Sequence, residues 1–109
     1  MQRFMIRSFL VKKELSTAFR KFMEEKHVKT ILKTGCFEHR LRKCFNENVK
    51  PGFDSIVYVL ETDNSRWDHY QKVYQAKTAE EFMEENKDHL QSGDISVIKT
   101  DGLLEDIAY

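Results

Sequence analysis

Proline occurs once, glycine four times, cysteine twice and tryptophan once in a chain of 109 residues. So little proline and glycine excludes a collagen-like or low-complexity polymer. Two cysteines are too few for a disulfide-stapled scaffold, and neither has the further Cys or His spacing that zinc requires. Charge of one dominant sign is missing too, since Lys plus Arg and Asp plus Glu number 18 each. That balance removes any global attraction to nucleic acid or to an anionic membrane, so neither is expected as a partner. No apolar run approaches the ~18 residues of a membrane span. The opening Met1–Arg7 has arginine within its apolar stretch and no small-residue cleavage site, unlike a signal peptide. The cytoplasm is the expected compartment. No nucleophile, phosphate-loop or metal motif stands out.

What is present is 40% hydrophobic and 12% aromatic residues, too much for a disordered chain. One domain over residues 1–109 is expected, burying roughly 65% of its unfolded surface. Arg3–Val11 is β-rich and predicts a first strand. Leu15, Ala18, Phe19, Phe22 and Met23 follow at the spacing of one helix face. Val28, Ile31 and Leu32 sit on a rotated face, which predicts a break near Lys26-His27 and a short second helix stopping at Gly35. Residues 36–45 are expected as the second strand, with Phe37, Leu41 and Phe45 on one side, and Asn46 to Gly52 as a loop. Ser55–Glu61 is the strongest strand pattern in the chain.

The second helical arm is predicted to start with Ser65 as cap and Asp68 three residues on. Trp67, Tyr70 and Tyr74 share a face expected to be core. Thr78 with Glu81 reads as a further capping box, which places a joint near Lys77. Phe82, Met83, Asn86 and Leu90 continue at helical spacing, Ser92-Gly93-Asp94 stops the helix, and Ile95–Thr100 is the last strand. The apolar tail Leu103–Ile107 should dock on the body. The order βαββαβ predicts an α+β, ferredoxin-like fold. Its antiparallel sheet would have the strands from residues 3 and 55 at the centre and both helical arms on one face. If Cys36 and Cys44 lie on one strand they are ~26 Å apart. A disulfide needs less than about 7 Å, so reduced thiols are expected.

A sheet with one face in water should alternate apolar with polar. Here Val57 and Val59 oppose Ile56, Tyr58 and Leu60, while Phe4, Ile6 and Leu10 oppose Met5, Phe9 and Val11. Both faces are apolar, so something must cover the second, and the simplest cover is a second copy of the same sheet. A tail or loop is the competing cover. Arg7 is expected on this open face, because a helix-covered core does not tolerate an unpaired arginine, with Tyr58 on the same side. Glu38 or Glu61 could serve as its counter-ion.

His27 could act as ligand or base, but capping the helix break through a ring nitrogen is the simpler role. His39 sits among Arg40, Arg42 and Lys43. Those cations would lower its pKa and leave a neutral base, or the run could hold an anion; a solvated edge strand is the plainer reading. The ligand-binding candidates are therefore Arg7, His39 and Tyr58, with no metal and no cofactor expected.

The stretch Glu24-Glu25-Lys26-His27, a short helix, then Gly35-Cys36-Phe37 resembles the central signature of a family of small bacterial proteins of unknown function. The order of elements and the Trp67/Tyr70 opening of the second arm are similar as well. Val28 and Lys29 stand where those proteins usually carry a proline. The resemblance implies a dimeric α/β-barrel and no particular activity. Haem-degrading relatives of that fold resemble one another in a first-strand asparagine, which this chain lacks. Two functions remain: a non-catalytic interaction or regulatory module acting as a homodimer, or a small-molecule binder or cofactor-free enzyme using a pocket between sheet and helices.

Overall fold

Strand β1 (Gln2–Lys12) opens a computed structural model that describes residues 2–39 and 41–105. A short 3₁₀ turn leads into α1 (Ser16–Phe22), a π-helical turn (Met23–His27) and α2 (Val28–Leu32). After a loop come β2 (Leu41–Lys50) and β3 (Phe53–Asp63). Helices α3 (Asn64–Val73) and α4 (Gln75–Ser92) precede β4 (Ile95–Glu105). The architecture is α+β, with a four-stranded antiparallel sheet in the order β2-β3-β1-β4. The two central strands are the ones the apolar pattern indicates.

Register decides which face meets the helices. Met5 pairs with Leu60, Arg7 with Tyr58 and Phe9 with Ile56, and all six side chains are buried. They join Phe19, Met23 and Ile31 of the first arm and Trp67, Tyr70 and Phe82 of the second in one core. Both arms therefore cover the same face. On the opposite parity Ile6, Leu10, Val57 and Val59 are half-buried, while Phe4 and its register partner Glu61 are buried.

The break in the first arm is a π-turn: the Val28 amide donates to the Met23 carbonyl, five residues back. One extra residue in the turn rotates the apolar stripe, so Phe19 and Ile31 both reach the sheet although their spacing is out of phase. Gly35 follows at φ +76°, where a side chain would be strained, and redirects the chain.

Several boundaries differ from the sequence pattern. The second strand starts at Leu41 rather than Cys36; Cys36 and Phe37 are buried in the loop that precedes it, not paired in the sheet. Their loop is held by the Thr62 hydroxyl donating to the Cys36 carbonyl at 2.6 Å and the Glu38 amide donating to the Glu61 carbonyl at 2.8 Å. At its other end β2 continues through Asn46 with a bulge between Glu47 and Lys50, so only Pro51-Gly52 turns. An edge strand tolerates such polar residues because its outer rim is wet. Asp63, not Ser65, caps α3, its carboxylate accepting from the Arg66 amide at 2.8 Å.

The joint in the second arm falls at Tyr74, and Thr78 lies inside α4. Its hydroxyl meets the Tyr70 hydroxyl at 2.7 Å and the Gln75 carbonyl at 3.1 Å, tying α3 to α4. Thr78→Val keeps the shape and removes this buried bond. Urea unfolding should show a loss of about 1–2 kcal/mol, and unchanged stability would show the bond to be dispensable.

Leu103 and Leu104 extend β4 rather than forming a separate tail, while docking of Ile107 and the placement of Arg40 lie outside the described residues. Cys36 is buried in the loop and Cys44 exposed on β2, both as free thiols. Among the described residues, no helix is long and apolar enough to cross a membrane.

Candidate functional site

The π-turn tips His27 inward instead of leaving it at the surface. Its ring stacks on Phe22 at 5.9 Å and 18° and meets Phe82 of α4 at 5.1 Å. Only 3% of the residue is exposed, and Nε2 has no hydrogen-bond partner among the described residues. The expected role as a carbonyl cap is therefore wrong. A π-turn lengthens the ladder rather than opening a free carbonyl for a side chain to bond. Burial first, and the nearby Arg7 charge second, push the imidazole down to about 3.

Arg7 is 2% exposed and faces the helices, not the open sheet face, which overturns the expected placement. Its guanidinium lies 5.3 Å from the Phe82 ring centroid and 5.9 Å from that of Phe9. Aromatic faces attract a desolvated cation, and these two rings contribute to holding Arg7 on the helix-covered side. Of the carboxylates considered for it, Glu61 pairs with Arg42 at 3.4 Å and Glu38 with Arg66 at 3.0 Å.

Tyr58, the register partner of Arg7, is wholly buried on the same helix-facing side. Its hydroxyl has no partner among the described residues. Burial raises its pKa, Glu24 adds to this and Arg20 opposes it. Phe45 meets its ring edge at 6.0 Å, and the Arg20 guanidinium covers Phe45 at 4.9 Å. Glu24 pairs with Lys43 above this cluster. Of the three candidates, then, Arg7 and Tyr58 come together, whereas His39 is exposed in the loop before β2. The further buried polar residue beside Arg7 is His27, whose imidazole feels the guanidinium charge.

Two concavities flank this buried group. A groove of about 540 Å³ has Phe22, Lys26, His27 and Thr30 on one side. Lys77 and the carboxylates Glu80, Glu81, Glu84 and Glu85 of α4 form the other. A second cleft of about 400 Å³ lies between α4 and β4, with Arg7 in its wall beside Phe82, Met83, Leu90 and Ile95. Among the described residues no cluster of three or more His, Cys, Asp or Glu is arranged to hold a metal ion.

At neutral pH the site holds a neutral imidazole, a protonated phenol and a guanidinium. A general base works best with a pKa near the working pH, and an imidazole at about 3 is far below that.

Residues 4–94 match a family described as a domain of unknown function (DUF4286), and the chain belongs to that family. No curated protein and no solved structure matches the chain.

Proposed function

We propose that this chain is a small cytosolic, homodimeric protein acting as a non-catalytic interaction or regulatory module. In this reading the fold is ferredoxin-like, and two copies join through their open sheet faces as a dimeric α/β-barrel. The observation that carries it is the second apolar face. Ile6 and Leu10 on β1 and Val57 and Val59 on β3 lie side by side there, on the parity opposite the helices.

The area supports a second copy as the cover. Strands of 10 or 11 residues are about 35 Å long, and four of them about 19 Å wide, giving about 700 Å² per copy. That is close to the ≈ 800 Å² per partner of a stable interface. Zero net charge means that two copies meet without overall repulsion. Free thiols at Cys36 and Cys44 suit a reducing compartment.

Sedimentation equilibrium at micromolar concentration tests the reading. The wild type should run at twice 13.0 kDa, and Val57→Glu at 13.0 kDa with an unchanged far-ultraviolet circular dichroism spectrum. A wild-type monomer at 13.0 kDa would overturn it.

The Arg7-walled cleft favours a second reading, a small-molecule binder or cofactor-free enzyme. Buried cations beside apolar walls suit amphipathic anions. Native mass spectrometry of freshly purified protein separates the two readings by reporting oligomer mass and any retained ligand together.

A further inference from the structure

We draw no further inference here: the strongest candidate, the cleft between α4 and β4 with Arg7 in its wall, belongs to the site already described and rests on a guanidinium that is almost fully buried.

Discussion

Phe9→Ala should remove a large share of the stability of this protein. Phe9 is fully buried at the centre of β1, and three aromatic or charged groups rest on its ring. Phe19 meets it edge-on at 5.0 Å, Phe82 stacks on it at 5.4 Å, and the Arg7 guanidinium lies 5.9 Å from its centroid. Phe19 belongs to the first helical arm and Phe82 to the second, so this one ring joins both arms to the sheet. Truncation leaves a cavity between rigid elements that cannot close without moving a strand. Such changes cost about 3–5 kcal/mol, against a total of about 5–15 kcal/mol for a typical domain. The urea midpoint should fall steeply with little change of slope. Val73→Ala, at a site 55% exposed, should stay within about 0.5 kcal/mol and serves as the control. A loss below about 1.5 kcal/mol for Phe9→Ala would mean that the three-ring contact is not the keystone of the core.

The parts of this fold visible in the sequence are those set by local chemistry. β3 announces itself through β-branched residues, and Gly93 at φ +82° marks the end of α4 as its position after the helix suggests. The π-turn was legible as a phase slip, because Phe19 and Ile31 cannot share a face of an unbroken helix. What stayed hidden depends on distant partners. The loop before β2 looks like strand because Cys36 and Phe37 are apolar, but it is the Thr62 hydroxyl that fixes it, and nothing near residue 36 signals that bond.

The candidate site failed and succeeded for the same kind of reason. Arg7 shares the parity of Met5, Phe9 and Val11, which by itself put it with the core residues of β1. The rule against buried arginine pointed the other way, and the Phe82 ring that meets its guanidinium comes from α4, far along the chain. His27 was marked by its place at the break, but its burial needs Phe22 and Phe82 together. No sequence-local pattern places those rings. A histidine at a helix phase slip, followed much later by an aromatic on an acidic helix, is the signal that could have found it.

Acid should weaken this protein well before its carboxylates titrate, and His27 is the reason. Unfolded, the imidazole takes a proton near 6.5; folded, burial and Arg7 hold it down to about 3. Between these values the unfolded state binds more protons than the folded one, so stability falls as pH falls. The full contribution is present above pH 6.5 and is lost progressively toward pH 3. At pH 5 the loss is about 2 kcal/mol, since one pH unit below the unfolded pKa corresponds to about 1.4 kcal/mol. For a domain of this size that lowers the melting temperature by roughly 10 °C. Asp63 and Asp94 do not confuse the window. The Arg66 backbone amide holds the first carboxylate below its ordinary value and a His89 hydrogen bond the second, so both stay ionised between pH 7.5 and 5. His27→Phe removes the proton site while offering Phe22 and Phe82 another ring to pack against, and His27→Gln removes it without adding bulk. Either variant should show a flatter stability profile between pH 7.5 and 5 than the wild type. Parallel profiles for wild type and both variants would show that the buried imidazole is protonated in the folded state at no cost, and that its apolar surroundings have been misjudged.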